Sequence, residues 1–81
     1  MSDSGVFITS DPRLAALAKT LGSRIIVSDN GTRLSFTCPG VGADLHRRVL
    51  ADEVPDVNPR MFIESLESVY SIIRQYRRAG R

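Results

Sequence analysis

Apolar positions change their spacing several times along the 81 residues, and each change marks a new element. Val6-Phe7-Ile8-Thr9 is a β-branched and aromatic run, which predicts a short strand. Asp11 then supplies an N-cap and Pro12 a first helical residue. Leu14, Leu17, Ala18 and Leu21 recur at helical spacing and Gly22 follows as a stop, so a helix is predicted over about 12–21. Residues 24–29 and 32–38 alternate, predicting two strands joined by Asn30-Gly31. That dipeptide favours a two-residue type I′ turn, because both residues tolerate positive φ. Such a turn sets Val27 opposite Leu34 and Ile25 opposite Phe36. Ile25, Val27, Leu34, Phe36 and Cys38 then share a buried face, while Arg24, Ile26, Ser28, Arg33, Ser35 and Thr37 take the other.

Pro39-Gly40-Val41-Gly42 breaks the strand. Ala43 to Glu53 predicts a short helix with Leu45 and Val49 four apart, and 54–57 a loop holding Pro55. Asn58-Pro59 repeats the start signal of Asp11-Pro12 and opens a long helix over about 59–78. Its apolar stripe is Phe62, Leu66, Val69, Tyr70, Ile73 and Tyr76, with Glu64, Glu67, Ser68, Ser71, Gln75 and Arg78 opposite. The order β-α-β-β-α-α defines an α+β domain. A small three-stranded sheet with an Asn-Gly hairpin is covered on one face by helices, the last long and amphipathic. The first strand, first helix and second strand suit a βαβ unit with a right-handed crossover.

Length allows one domain, 1–81, with disorder expected at 1–5 and 79–81. A chain this short buries only about 60–65% of its unfolded surface. One cysteine and one histidine exclude a disulfide and argue against a structural metal, so no metal or cofactor is expected. Stability must come from an efficient core or from association. No apolar run approaches the roughly 18 residues of a membrane span. Met1 to Gly5 has no signal-peptide features, so no membrane partner and a cytoplasmic location are expected.

Charge changes the picture only through its distribution. Arg74, Arg77, Arg78 and Arg81 give the last eight residues +4 against +2 for the whole chain, leaving −2 on the first 73. Ten of the eleven basic residues are arginine, which suits phosphate and carboxylate; a GC-rich genome would produce the same bias. Arg74, Arg77 and Arg78 also complement the dipole of the long helix. With Arg47 and Arg48 they are the candidate nucleic-acid contacts.

Individual residues carry little chemistry. Asp11 could be a metal ligand or base, but capping explains it. Asp29 belongs to its turn. Gly40-Val41-Gly42 lacks the longer glycine pattern and lysine of a phosphate loop. Cys38 reads as a small buried hydrophobe. His46, beside Arg47 and Arg48, has no serine, cysteine and acid placed to form a triad. No catalytic residue is assigned, and an enzyme is not expected.

Three resemblances exist. Gly31-Thr32-Arg33-Leu34-Ser35-Phe36-Thr37 and Asp44-Leu45, within 14–53, resemble the phage head-completion proteins of the lambda W type, which implies a phage or prophage structural role. Asp11-Pro12 to Leu21, the hairpin and Phe62 to Tyr76 are similar in order to the small dimerising subunit of the KEOPS tRNA-modification complex. That resemblance implies a subunit-joining fold without its own active site, with 40–58 as an insertion. Ile8-Thr9-Ser10-Asp11 through Arg24-Ile25-Ile26-Val27 resembles the closing β-α-β of a PIN-type nuclease, without the acidic residues that complete a metal site.

The sequence-level expectation is a non-catalytic protein-interaction module, a small subunit of a homodimer or larger assembly. Met61 and Ile72 flank the long stripe on one side and Ile63 on the other, more apolar surface than one small sheet face needs. Met61, Phe62, Leu66, Val69, Tyr70, Ile72 and Ile73 are therefore the expected interface with itself or another protein subunit. The alternative is a nucleic-acid-associated protein using Arg47, Arg48, Arg74, Arg77, Arg78 and Arg81.

Overall fold

A computed structural model describes residues 6–29 and 31–79. Its elements are β1 (Val6–Thr9), α1 (Pro12–Thr20), β2 (Ile26–Asp29), β3 (Leu34–Pro39), α2 (Leu45–Leu50) and α3 (Pro59–Ala79). The fold is α+β: one three-stranded antiparallel sheet and three helices, the last of them long. The disorder predicted for 1–5 and 80–81 lies outside the described residues. Ala79, predicted beyond the helix, is its last residue.

Both long-helix starts form as the sequence predicts. The Arg13 N–H donates to Asp11 Oδ1 at 2.9 Å, with Pro12 in the first turn. Asn58 Oδ1 accepts from the Arg60 N–H at 2.9 Å and the Met61 N–H at 3.3 Å. These carboxylate and amide oxygens satisfy N–H groups that a helix start leaves without partners.

The strand order is β1-β3-β2, with both outer strands antiparallel to β3. β1 and β2 are thus parallel to each other but not neighbours, and β3 fills the place between them. This corrects the simple βαβ unit: the crossover through α1 leaves a gap one strand wide, which the hairpin closes. The hairpin register is also corrected. Val27 pairs with Phe36 and Asp29 with Leu34, so the connection is the four residues 30–33, not Asn30-Gly31 alone. Asn30 itself lies outside the described residues. Asp29 Oδ1 accepts the Gly31 N–H at 2.8 Å, and this side-chain turn begins the loop in place of a tight backbone turn. The slip is two residues, and strand side chains alternate with period two, so the residues that pair keep their predicted faces, while Arg33, predicted on the outward face, falls in the loop. Phe36 and Cys38 are buried there, and Ile25, Val27 and Leu34 pack against them.

α1 is the most enclosed helix. Ala15, Ala16 and Ala18 are fully buried, and only Arg13 and Lys19 of the helix are exposed. The predicted stripe of Leu14, Leu17 and Leu21 is only half-buried at its margin. Alanine has no bulk beyond Cβ, so Cα atoms of α1 come within 8 Å of those in β1, β3 and α3. At its far end Thr20 Oγ1 donates to Ala16 O at 2.8 Å and lies 3.0 Å from Ser65 Oγ of α3. Pro12, at its start, shares a cleft with Ile73, Tyr76 and Arg77, so α1 and α3 run antiparallel. α3 is turned slightly from the predicted orientation. Ser65 is buried, and Tyr70, predicted within the stripe, is 42% exposed. The core is completed by Phe7, Leu45 and Val69.

The short helix is shorter than the predicted 43–53. Its C-terminal end folds in the same way as that of α1. In α1 the Gly22 N–H bonds Lys19 O and the Ser23 N–H bonds Ala18 O; in α2 the Asp52 N–H bonds Val49 O and the Glu53 N–H bonds Arg48 O. Both ends need a left-handed residue, and α2 uses Asp52, at φ 59, where α1 has Gly22, at φ 109. An L-residue there costs about 1–2 kcal/mol, somewhat less for aspartate. Asp52→Gly should therefore stabilise the protein by about 0.5–1 kcal/mol, and Gly22→Ala should destabilise it by about 1 kcal/mol. Urea denaturation midpoints check both, and opposite signs are expected.

Candidate functional site

Among the described residues, two surfaces and two hollows offer contact to another molecule. The first surface is the sheet face opposite the helices. Phe7, Phe36 and Cys38 point to the helical side, so their strand neighbours point away from it. Ile8 pairs with Thr37 on one side of β3 and Ile26 pairs with Thr37 on the other. The result is one row, Ile8–Thr37–Ile26, across all three strands. Ile8 is 64% exposed and Ile26 47% exposed, so no helix covers them.

The second surface is α3, where the sequence places its interface. Val69 is fully buried, and Phe62, Leu66 and Ile73 pack against the core. Val69 is therefore closed to a partner, and the other three give part of their surface to contacts within the chain. Met61 and Tyr70 are exposed and Ile72 is half-buried. At 100° per residue Met61 and Ile72 fall on one flank of α3, Ile63 and Tyr70 on the other. The predicted strip is thus split in two by its own buried centre.

The predicted basic residues do not form one patch. Arg47 and Arg48 are held on α2 by acids: Arg47 Nη2 lies 3.0 Å from Asp44 Oδ2, Arg47 Nη1 3.5 Å from Glu53 Oε1, and Arg48 Nε 3.1 Å from Asp44 Oδ1. The Arg48 guanidinium also donates to Val41 O. A Cβ at Gly42 would sit 3.0 Å from Arg48 Nη2, so the missing side chain makes room for this clamp. Arg74, Arg77 and Arg78 are exposed at the other end of the structure; Arg81 lies outside the described residues. α2 borders Phe62, and Arg77 is fifteen positions further along α3, about 22 Å at 1.5 Å per residue.

The smaller hollow, of about 340 Å³, lies between α1, α2 and the start of α3, and Asp11, Arg13 and His46 line it. Arg13 Nη2 is 3.3 Å from Asp11 Oδ2, and this hydrogen bond holds the Asp11 carboxyl below the usual carboxylate range. Cys38 does not line the hollow. It is fully buried, and burial pushes its thiol pKa up, which suppresses the reactive thiolate. Among the described residues no three His, Cys, Asp or Glu side chains are grouped to hold a metal. No helix there is long and apolar enough to cross a membrane. The larger hollow is an open cleft of about 550 Å³ where the start of α1, the β2–β3 loop and the last turns of α3 meet. Arg33 and Arg77 both line it, a pairing invisible in the sequence because 44 positions separate them.

No protein-family model matches the chain, and comparison with curated proteins and with solved structures gives no match.

Two predictions follow from these contacts. Asp44 is held below its ordinary value near 3.8, first by the hydrogen bond from Arg47 and then by that from Arg48. A depressed folded-state value means that its contribution is complete above the unfolded value, about pH 4, and is lost as pH falls through the lower folded one. Asp44→Asn should lower the melting temperature at pH 7, and the gap should shrink at acid pH, below about 4. Thermal melts at both pH values test this; an equal gap at each would exclude the charge as cause. Cys38 should resist a thiol reagent in native buffer and react fully in denaturant. Rapid native labelling would contradict its burial.

Proposed function

We propose that this chain is a non-catalytic interaction subunit that pairs with a second copy of itself through the open face of its sheet. The observation that carries the proposal is the exposed Ile8–Thr37–Ile26 row. Seven large apolar side chains are exposed among the described residues, against four that are buried, Phe7, Phe36, Leu45 and Val69. That balance favours a partner. Of the exposed seven, Ile8 and Ile26 are aligned across paired strands, about 10 Å apart across β3.

The row supports a second copy as occupant because it reads the same from either end. Under a two-fold axis along the strands, Ile8 meets Ile26 of the other copy and Thr37 meets Thr37. Under an axis along the row, each isoleucine meets its own counterpart. Apolar contact results in both cases, as an isologous interface requires.

Magnitudes make the pairing weak. Three strands about 4.8 Å apart and four to six residues long form a face roughly 15 Å across. Two such faces bury less than the about 1,600 Å² of a standard interface. A buried isoleucine is worth about 1.5–3 kcal/mol, and roughly half of each is already covered in the monomer. A dissociation constant no tighter than about 100 µM is the expected result.

Sedimentation equilibrium up to about 1 mM tests this. Ile8→Glu and Ile26→Glu should each weaken association at least about tenfold, with the melting temperature of a dilute sample changed by no more than about 2 °C. Met61→Glu and Tyr70→Glu should leave it unchanged. A monomer at every concentration would sink the proposal. Loss of the dimer with the α3 variants alone would move the interface to the helix.

A further inference from the structure

Acids hold Arg13, Arg47 and Arg48 in place. Arg74, Arg77 and Arg78 are different. All three are exposed, and among the described residues none is paired with a carboxylate. Asp29 lines the cleft beside Arg77 without pairing to it, and its Oδ1 takes the Gly31 N–H. From Ser68 to Ala79 α3 carries no acid, whereas Glu64 and Glu67 lie on the turns before. The helix dipole accounts for cations in the last turn, Arg77 and Arg78, but its effect fades within that turn. Arg74, one turn earlier, lies beyond it. Three guanidiniums without acids on neighbouring turns make the potential at this end positive.

An exposed aromatic ring extends the same surface. Tyr70, Arg74 and Arg77 recur at i, i+4 and i+7 of one helix. At 100° per residue they fall within about 60° of one another, along about 10 Å of helix. Tyr70 is 42% exposed, and Arg78 lies beside Arg74 one turn on. The line follows the flank of α3 that its core contacts leave open, since the helix turns Val69 and Ile73 inward. It belongs to the helical layer, away from Ile8 and Ile26 on the open face of the sheet.

We propose that this line binds a single strand of nucleic acid, with phosphates on Arg74 and Arg77 and a base stacked on Tyr70. Guanidinium groups match phosphate by paired parallel hydrogen bonds, which an ammonium cannot make. An exposed tyrosine ring offers a stacking surface to any unpaired base, and this favours a single strand over a duplex. An anionic membrane is the poorer fit. A helix binds a membrane surface through its apolar face, and the centre of that face on α3, Val69, is enclosed within the chain.

Fluorescence anisotropy of a labelled single strand of about eight nucleotides, titrated with the chain at several salt concentrations, tests this. Saturable binding is expected at low salt, with a dissociation constant on the order of 100 µM. Two phosphate contacts on a single strand make log affinity fall by about 1.4 per unit of log salt, at about 0.7 each. Arg74→Gln and Arg77→Gln should each remove about half of that slope. Tyr70→Leu should weaken binding at least about fivefold with the slope unchanged. Arg60→Gln is the control: Arg60 is exposed at the start of α3, about 21 Å from Arg74 along the helix, and its loss should matter less than about twofold. Circular dichroism establishes that each variant folds. Ile8→Glu should leave affinity and slope unchanged, so failure of this site and failure of self-association read out separately. Absence of saturation up to about 1 mM chain at low salt would overturn the proposal. Equal affinity for poly-glutamate, or an unchanged affinity in Tyr70→Leu, would overturn it too, because diffuse attraction to a basic helix end would then be the cause. Tighter binding to phosphatidylserine vesicles than to the strand, lost in the same arginine variants, would assign the surface to a membrane instead.

Discussion

The close approach permitted by Ala15, Ala16 and Ala18 is the constraint on which the rest of the structure depends. A helix normally packs at a distance set by its larger side chains. With three alanines fully buried, α1 sits close to β1, β3 and α3 at once. A small chain gains from this, because close contact recovers dispersion energy that its few large core side chains cannot supply. The arrangement also has a cost. The leucines of α1 are displaced to its margins, and α3 is held beside α1 with its Ser65 hydroxyl against Thr20. The whole helical layer is thus gathered on one side of the sheet, and the other side is left with Ile8 and Ile26 exposed.

The open face and the cleft lie on opposite sides of the same three strands. Arg47 and Arg48, which composition alone groups with the C-terminal arginines, are instead tied to Asp44, Glu53 and the Val41 carbonyl. Their charge maintains α2 and its connections. Once they are set aside, Arg74, Arg77 and Arg78 remain together on the last turns of α3.

Local rules in the chain were legible wherever a few neighbouring residues decide the outcome. Asp11-Pro12 and Asn58-Pro59 start helices because the side chain and the N–H groups it accepts are adjacent. The face assignment of Phe36 and Cys38 survived an error of two in the register, since alternation depends only on parity. What was not legible depends on distant partners. The Asp29 side chain changed the turn, and no turn preference of Asn-Gly contains that competition. The position of β3 between β1 and β2 depends on how α1 packs. The rotation of α3 that buries Ser65 and exposes Tyr70 brings Ser65 against a hydroxyl 45 positions away. For the same reason the cleft shared by Arg33 and Arg77 had no signal in one dimension. The open-face row was half visible, since Ile26 was assigned to the outward face but its alignment with Ile8 requires the strand order.

The separations between paired strands also set a sequence of events in time. Asp29 and Leu34 pair five positions apart, whereas Val6 and Pro39 pair across 33. Closing the longer loop costs about 2 kcal/mol more in chain entropy than closing the hairpin. The hairpin is therefore the cheaper contact to close, and β1 joins it later. On a ribosome adding about 5–20 residues per second, Val6 leaves the synthesis site roughly 2–7 s before Pro39 is made. For that interval Phe7, destined for the core, has neither its strand partner nor the long helix that helps to enclose the core. Phe7 therefore waits, as the chain grows, for the strand and the helix that will enclose it.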